Sequence, residues 1–365
     1  MKKVLFHITS FEQGGAERVV SNLSNRLSRD GYDVVVTTQW EGKNEFALEE
    51  NVKRIDIGYR EGNQKVNKLI RAFFRVLHMR HAIKEEKPDV VISFLKKNNY
   101  RTLLANIGTG IPSIIAVRND PKSDHVGKVD KVLIPLLYKR AAGAVFQTVE
   151  QKEFFPESVQ RNAQVILNPV HNKYIQATQP EHKEKVIVHS GRLVAFKNHE
   201  MLIRSFLKVH EKHPEYKLYM YGRDSFDGTK DIIERMIEEN HAADYVKLMG
   251  ASDELEILIP QAEIYVLSSH YEGMPNALIE AMAMGMPVVS TDCPCGGPRT
   301  LITHEKDGLL VPVNDEDAMA ESICRLIEDS EFAKKLGTNA RKISERVNEE
   351  AIISQWKKYI DEVAG

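Results

Sequence analysis

The sequence predicts an α/β protein of two domains, each built around a parallel β-sheet. The chain has 365 residues, which is more than one hydrophobic core ordinarily serves. Short apolar runs alternate with amphipathic segments along its length, and this alternation is typical of repeated βαβ units. A polar stretch at 168–185 has two prolines and no periodicity, so it divides the alternation into two halves.

The elements follow in order along the chain. In the first half, strands are predicted at 4–8, 34–38, 90–94, 114–117, 144–147 and 165–167. In the second half, they are predicted at 186–190, 217–221, 246–249, 264–267, 288–290 and 309–311. Amphipathic helices are clearest at 16–29, 198–210, 231–239 and 315–328. The first domain is therefore expected at 1–170, a linker at 171–185 and the second domain at 186–348.

Composition restricts the class of protein. Hydrophobic residues make up 42% and charged residues 28%, as in soluble globular proteins. The cysteines, Cys293, Cys295 and Cys324, are too few for a disulfide scaffold and favour a reducing, cytoplasmic compartment. The opening MKKVLFHITSF indicates a first strand rather than a signal peptide. No run approaches the roughly 18 apolar residues of a membrane span.

Charge is distributed unevenly between the two halves. Residues 1–170 contain 27 Lys and Arg against 19 Asp and Glu, a balance of +8, whereas the remainder contains 23 against 33, a balance of −10. The basic first half indicates an anionic partner. Nucleic acid is not expected, because the basic residues are not interleaved with aromatic residues in a recognised module.

Two stretches after predicted strands carry candidate phosphate-binding residues, since ligands of parallel sheets bind beyond the carboxyl ends of strands. Gly14 and Gly15 allow the backbone to approach a phosphate at a helix start, although a purely structural turn stays open. The spacing fits neither the dinucleotide fingerprint nor the Walker loop, which disfavours a dehydrogenase. Gly191, Arg192 and Lys197 offer a planar fork and a compact charge, with a solvated turn as the alternative.

A third stretch, EGMPNALIE at 272–280, places Glu272 in a turn and Glu280 in the helix that follows. Pro275 is predicted in the first helical turn and Gly285 at the helix end. Carboxylates accept hydrogen bonds from hydroxyl groups, so the pair suits a sugar or ribose, while the helix start suits a phosphate. The alternative is that each Glu only stabilises the helix, because a negative charge near a helix start interacts favourably with the helix dipole. The candidate backbone contacts are Gly273, Met274, Asn276 and Ala277.

In this order the three motifs resemble glycosyltransferase family 4. The matching residues are Gly14-Gly15-Ala16-Glu17, then Gly191-Arg192-Leu193 with Lys197-Asn198, then the E-x7-E motif from Glu272 to Glu280. Stretches 286–302 and 307–312 are similar to bacterial members that build polysaccharides and lipid-linked oligosaccharides. Thr300 is a departure, because such relatives commonly have Glu after CPCGGPR.

The resemblance implies the GT-B fold of two facing Rossmann-like domains with a cleft between them. It also implies transfer of a sugar from a nucleotide donor, expected to be a UDP-sugar, with retention of anomeric configuration. Arg192 and Lys197 would neutralise the leaving diphosphate. Glu272 would hold the donor sugar and Glu280 the ribose. No metal or other cofactor is expected, because the nucleotide-sugar is a co-substrate.

Further contacts are implied by the same resemblance. Met249 and Gly250 are expected near the base. Gly14 and Gly15 are expected to close over the diphosphate from the other domain. The last helix, about 349–365, is expected to return to the first domain. Asp315-Glu316-Asp317 superficially resembles a metal-binding motif, but its place at a helix start favours capping.

The acceptor side has weaker candidates. Asp120 and His125, in and after the turn at 118–121, are candidates for acceptor-side chemistry, with a Pro-containing turn and a capping Asp as the alternative. Residues 62–84 contain no acid and predict a basic amphipathic helix. We expect its apolar face, with Val66, Leu69, Ile70, Phe73 and Leu77, to pack on the first sheet.

The opposite face of that helix carries Lys65, Lys68, Arg71, Arg75 and His78, which would lie toward lipid phosphates. The expected acceptor is a saccharide, polyprenyl-diphosphate-linked, met by peripheral contact with an anionic membrane at its cytoplasmic face. Other functions stay open: an epimerase or phosphorylase of the same fold, or a non-catalytic nucleotide-sugar-binding protein.

Overall fold

The structure is a computed structural model that describes residues 1–12, 14–58 and 67–365. It divides into two compact units. Unit 1 contains Met1–Pro169 and Ile352–Gly365, and unit 2 contains Val170–Ala351. The segment 171–185, predicted as a linker, belongs to unit 2 and contains a short helix and the start of a strand.

Unit 1 is built around a parallel sheet. Its strands are β1 (Lys3–His7), β2 (Asp33–Thr38), β3 (Lys53–Asp56), β4 (Val90–Phe94), β5 (Ser113–Ala116), β6 (Gly143–Phe146) and β7 (Ala163–Val165). Its helices up to residue 169 are α1 (Gly15–Arg29), α2 (Lys68–Glu86), α3 (Lys96–Ala105), α4 (Pro121–Asp124), α5 (Asp130–Leu137), α6 (Val149–Glu153) and α7 (Glu157–Gln160). The strands pair in the order β3-β2-β1-β4-β5-β6-β7, so the order reverses between β1 and β4.

Unit 2 repeats this plan. Its strands are β8 (Glu184–Ser190), β9 (Lys217–Tyr221), β10 (Val246–Gly250), β11 (Ala262–Leu267), β12 (Val288–Thr291) and β13 (Leu309–Val311). Its helices are α8 (Asn172–Ile175), α9 (His199–Lys212), α10 (Thr229–Glu239), α11 (Leu255–Leu258), α12 (Asn276–Ala283), α13 (Gly297–Leu301), α14 (Glu316–Glu328), α15 (Ser330–Ala340) and α16 (Ile343–Val347). The parallel strands pair in the order β10-β9-β8-β11-β12-β13, which reverses between β8 and β11.

The prediction of two α/β units with parallel sheets is confirmed. Strands such as β4 and β12 are buried along their whole length, which explains why they are continuous apolar runs in the sequence. The sequence missed β3, because this edge strand has only Ile55 as an apolar residue and is partly exposed. It also placed the last strand of unit 1 two residues late.

The last helix, α17 (Glu349–Ala364), packs on the sheet of unit 1. Trp356 is fully buried, and its ring stacks on Phe94 with 5.6 Å between ring centroids. The backbone N–H of Ala144 donates a hydrogen bond of 2.9 Å to the Tyr359 hydroxyl. Gly143 permits this approach, because a Cβ there would overlap the same hydroxyl.

The predicted orientation of the basic helix is wrong. In α2, Leu69 is 78% exposed and Phe73 is 60% exposed, and Ile70 and Leu77 are also exposed. The helix instead contacts the sheet through residues nearer its end, Val76, Met79, Ala82 and Ile83. These later residues form a second apolar face of α2. Because this face packs against the strands, it determines which side of α2 is turned toward the sheet. Lys65, Val66 and the side chain of Lys68 lie outside the described part of the chain.

Candidate active site

The loops that follow β8 and β11 meet at the switch point of unit 2, where the strand order reverses and ligands of such sheets bind. The hydroxyl of Ser268 donates to the Lys197 carbonyl at 2.9 Å. The N–H of His270 donates to the Phe196 carbonyl at 2.8 Å. The rings of Phe196 and Tyr271 stack with 5.0 Å between centroids. The second and third sequence motifs therefore form one surface.

Lys197 and Glu272 form the ion pair at the centre of this surface. The Lys197 Nζ lies 2.6 Å from the Glu272 Oε1, and the side chains are only 12% and 10% exposed. The Ser269 hydroxyl donates to the same carboxylate oxygen at 2.8 Å. Charge-assisted hydrogen bonds in a partly desolvated site are strong and hold both groups in fixed positions.

Gly191 and Arg192 precede Lys197 on the same loop. The Gly191 N–H donates to the Tyr221 carbonyl at 2.9 Å. A Cβ at Gly191 would lie 3.3 Å from the Lys197 Cε. Arg192 is exposed, and among the described residues it has no acidic partner. One loop thus presents one cation that is paired and one that is available to an anion.

Helix α12 begins beside Glu272. Pro275 is its N-cap rather than a residue of its first turn, because the Pro275 carbonyl accepts from the amides of Leu278 and Ile279 at 3.1 Å each. The amides of Asn276 and Ala277 therefore occupy the helix start, where N–H groups have no intrahelical acceptor. Gly285, with φ of +77°, follows the helix end as predicted.

The remaining residues of this motif are placed around the helix start. Met274 and Glu280 are buried, at 6% exposure each, and Glu280 lies within α12. Gly273 belongs to the turn, and its carbonyl faces the loop that follows β12. Met249 and Gly250 end β10 and are exposed, and Gly250 accepts from the Gly222 N–H at 2.8 Å.

The loop after β12 holds the Glu272 turn in place, and sequence reasoning gave it no role. The Glu272 N–H donates to the Pro294 carbonyl at 2.7 Å, and the Cys295 N–H donates to the Glu272 carbonyl at 3.3 Å. A Cβ at Gly297 would lie 2.5 Å from the Gly273 carbonyl oxygen, so only glycine fits there. The Gly-Gly pair before Pro298 was the signal in the sequence. Thr300, the departure from relatives, donates to the Gly296 carbonyl at 2.7 Å.

In unit 1, Gly14 is the N-cap of α1 and Gly15 is its first residue. Gly14 has extended backbone, with φ of −154°. Gln13, between the first strand and this turn, lies outside the described part of the chain. The contact of the two glycines with a diphosphate stays a prediction.

Asp120 and His125 have structural partners. The Asp120 carboxylate caps α4 by accepting from the Lys122 N–H at 3.0 Å. His125 lies 3.0 Å from the Tyr138 hydroxyl through Nε2, and its ring meets the Phe155 ring edge-on. Burial lowers the pKa of His125 to about 4. The cap by Asp120 fits the alternative that the sequence left open, a Pro-containing turn with a capping Asp. The aromatic surroundings of His125 were not predicted.

The capping interpretation of Asp315 is confirmed, because its carboxylate accepts from the Ala318 N–H at the start of α14. In the described part of the chain, no group of three or more His, Cys, Asp and Glu is placed to hold a metal ion. Nor does any described helix have the length and apolar character needed to span a bilayer.

Comparison with known families identifies the chain. The model of the family "Glycosyltransferase Family 4" matches residues 13–149, and that of "Glycosyl transferases group 1" matches residues 170–343. This chain is a family 4 glycosyltransferase. The family resemblance and the enzyme class predicted from the three motifs are therefore confirmed.

Two relatives of this glycosyltransferase come from Campylobacter jejuni. The first is GalNAc-alpha-(1->4)-GalNAc-alpha-(1->3)-diNAcBac-PP-undecaprenol alpha-1,4-N-acetyl-D-galactosaminyltransferase, 28% identical, with 100% of this chain and 99% of the relative covered. The second is N-acetylgalactosamine-N,N'-diacetylbacillosaminyl-diphospho-undecaprenol 4-alpha-N-acetylgalactosaminyltransferase, 26% identical, with coverage of 99% and 100%.

Solved structures show the fold of the glycosyltransferase. HepE of Anabaena, crystallised in complex with UDP, superposes with a TM-score of 0.85 at 19% identity over 99% of this chain and 100% of that one. Sucrose-phosphate synthase of Thermosynechococcus elongatus superposes with a TM-score of 0.80 at 18% identity, over 99% of both chains. The expected GT-B fold is confirmed.

Proposed function

We propose that this glycosyltransferase moves a sugar from a UDP-sugar to a lipid-linked saccharide with retention of anomeric configuration. The observation that carries the proposal is the Lys197–Glu272 ion pair at the switch point of unit 2, together with the exposed Arg192 on the same loop as Lys197. A nucleotide-sugar has an anionic diphosphate and a polyhydroxyl sugar, and this surface has donors for the first and acceptors for the second. The names of the two Campylobacter relatives support a diphospho-undecaprenol-linked acceptor.

The proposed role of each residue follows from its charge. Arg192 and Lys197 neutralise the negative charge that grows on the leaving diphosphate, where fixed positive charge accelerates a reaction most. The amides at the start of α12, near Asn276 and Ala277, bind the same oxygens. Glu272, already fixed by Ser269, accepts hydrogen bonds from hydroxyl groups of the donor sugar.

The nucleoside is held further from the reacting bond. Glu280 accepts from the ribose hydroxyls, and the exposed end of β10 at Met249 and Gly250 contacts the base. The leaving phosphate itself helps to deprotonate the acceptor, so the reaction needs neither a protein nucleophile nor a metal ion. Asp120 and His125 then serve the fold of unit 1 through the contacts described above.

We further propose that unit 1 docks peripherally on an anionic membrane at its cytoplasmic face. The exposed Leu69, Ile70 and Phe73 of α2 supply apolar anchors. A second basic and apolar surface, which sequence reasoning missed, lies along 126–140. Its exposed apolar residues are Val126, Val129, Val132 and Leu136, and its exposed basic residues are Lys128, Lys131, Lys139 and Arg140. Apolar anchors next to basic groups are typical of interfacial membrane binding.

A thermal-shift series with UDP, ADP, GDP and their glucose and N-acetylglucosamine conjugates tests the donor. UDP and one UDP-sugar are expected to stabilise the protein, by about 2.7 kcal/mol at a hundredfold excess over Kd. NMR of the first minutes of turnover should then show an α-linked product from an α-linked donor. Preference for a purine nucleotide, or an inverted product, would contradict the proposal.

A further inference from the structure

The loop that follows β9 in unit 2 exposes one large aromatic side chain. Phe226 is 91% exposed, and apart from Met1 it is the most exposed large apolar residue in the described part of the chain. Its backbone has φ of +56°, in the left-handed region that bulky residues rarely adopt. Because the ring is not buried, Phe226 gives the fold no hydrophobic stabilisation, while its backbone conformation costs stability.

Residues 222–228, which we call the Phe226 loop, are held in a defined conformation. The Phe226 N–H donates to the Asp224 Oδ1 at 2.8 Å. The Thr229 N–H, at the start of α10, donates to the Asp227 Oδ1 at 3.1 Å. Hydrogen-bonded turns of this kind lie on both sides of Phe226. The aromatic side chain is therefore presented from a fixed backbone.

On one side, the Phe226 loop contacts the loop that carries the two candidate phosphate-binding cations. The Leu193 N–H donates to the Arg223 carbonyl at 2.9 Å. A Cβ at Gly222 would lie 1.9 Å from the Gly191 carbonyl oxygen, so only glycine permits this approach of the two backbones. The position of Phe226 is thus tied to the loop on which the diphosphate is proposed to bind.

On the other side, the Phe226 loop contacts the end of β10. The Gly222 N–H donates to the Gly250 carbonyl at 2.8 Å, and Met249 beside it is 44% exposed. The sheet order places β9 between β8 and β10. A nucleotide with its diphosphate on the loop after β8 and its base at the end of β10 therefore passes over the carboxyl end of β9, where Phe226 lies.

We propose that Phe226 stacks on the nucleobase of the donor, an inference that rests on the proposed function. Every nucleobase has a π-face, and an aromatic side chain that stacks on it strengthens binding whichever base is present. A ring held in place before binding loses little conformational freedom when the ligand arrives. Phe226 supplies affinity for the base in this arrangement, and the choice between bases is left to the end of β10.

Calorimetric titration of the full chain with UDP, together with urea unfolding, tests the stacking. Asparagine adopts the left-handed region more readily than phenylalanine, so Phe226→Asn should have a urea midpoint no lower than the wild type. The same variant should bind UDP about tenfold more weakly, because the stacked ring is lost. Phe226→Tyr keeps the ring and should stay within about twofold of the wild type. A residue that only supported the loop would instead lower the urea midpoint when replaced.

His241→Asn is the matched control. His241 is also exposed and also has a positive φ, of +51°, but it precedes β10 and so lies toward the opposite edge of the sheet. This variant should keep both the urea midpoint and the affinity for UDP. The proposal is wrong if Phe226→Asn binds UDP like the wild type, if it loses affinity and stability together, or if His241→Asn weakens UDP binding equally.

Titration with ADP separates the stacking from the proposed donor. A wild type that binds ADP but not UDP would contradict the UDP-sugar of the proposed function. The same variants titrated with ADP would then still decide the role of Phe226, since stacking does not depend on which base is present. A wild type that binds neither nucleotide would overturn both proposals.

Discussion

The two units place a buried histidine at the same point of the same topology, and they surround it differently. His7 ends β1 and His189 lies near the end of β8, each on the strand next to the switch point of its sheet. Each donates through Nδ1 to a carbonyl of the neighbouring strand, His7 to Thr37 and His189 to Val266. Burial is the main cause that lowers their pKa, to about 3 for His7 and about 4 for His189.

The difference lies in the cation next to each histidine. In unit 2, Lys197 is neutralised by Glu272. In unit 1, the partners of Arg101 within the described part of the chain are neutral, and His7 itself is one of them. An ion pair can exchange partners with a ligand that carries both phosphate and hydroxyl groups, whereas a cation without an acid gains only from an anion. The two switch points thus differ in charge through the placement of a single carboxylate.

The largest effect is expected from breaking the ion pair of unit 2. Lys197→Ala and Glu272→Ala should each lower the transfer rate about 100- to 1000-fold, the loss typical of a group that stabilises developing charge. Each should also destabilise unit 2, because the partner is left as an uncompensated buried charge. Product formation and urea unfolding measure the two effects.

The double variant Lys197→Ala/Glu272→Ala sharpens this result. It should regain stability, since no unpaired charge is left, but it should not regain activity. Lys185→Ala, which removes a lysine from an exposed pair with Glu215, is the matched control and should keep normal transfer. Activity within a few-fold of the wild type in both single variants would contradict the roles assigned to Lys197 and Glu272.

The next effect concerns the loop that holds the Glu272 turn. In Gly297→Ala the new methyl would lie 2.5 Å from the Gly273 carbonyl oxygen and 3.0 Å from the Pro275 Cδ. We expect a loss of about 1–3 kcal/mol in the free energy of unfolding, as for other overpacked sites, together with weaker UDP binding. Glu321→Ala is the control, because it places alanine at an exposed position within α14 of the same unit. Equal stability of the two variants would show that the loop does not constrain the turn.

Much of the fold and of the candidate site follows from local sequence, since buried parallel strands are apolar runs and ligand-binding loops follow them. Glu272, Lys197 and Arg192 could be selected for this reason. The pairing of Lys197 with Glu272 could not be predicted, because residues 75 positions apart meet only when β8 and β11 become neighbours. The constraint on Gly297 has the same origin, since it depends on contact between two loops.

The orientation of α2 could not be predicted for a different reason. Helical periodicity separates apolar from polar residues, but α2 carries two apolar sets, and only the position of the sheet selects between them. The set with Met79 and Ile83 is buried, which leaves Leu69 and Phe73 exposed and turns Arg75 inward.

A smaller effect tests the exposed apolar surface of unit 1. Leu69→Ser/Phe73→Ser should reduce flotation with phosphatidylglycerol vesicles about tenfold, since two apolar side chains no longer enter the interface. Stability should not change, because both residues are exposed in the folded protein. Ile257→Ser, an exposed apolar residue of unit 2, is the control and should float like the wild type. A deficit shared by both variants, or by neither, would argue against docking through α2.

The smallest effect is the loss of stability that a buried neutral histidine predicts as the pH falls. The pKa of His7 is about 3 in the folded protein against 6.5 for an ordinary histidine, so between these values the unfolded chain binds more protons. Stability due to His7 is therefore complete above pH 6.5 and is lost as the pH falls, by about 1 kcal/mol at pH 5.5. The groups that face His7 are Thr37 and the cation Arg101, which oppose a second positive charge rather than accommodate it.

Urea unfolding at pH 7.5 and pH 5.5 measures this loss. His7→Gln should show a smaller decrease than the wild type between the two values, because glutamine has no proton to gain. His189→Gln should also show a smaller decrease than the wild type, because the pKa of His189 is about 4 and its imidazole is likewise neutral at pH 5.5 in the folded protein. Identical pH dependence in the wild type and His7→Gln would mean that the imidazole of His7 is not kept neutral by burial beside Arg101, and the contrast between the two units would lose its basis in unit 1.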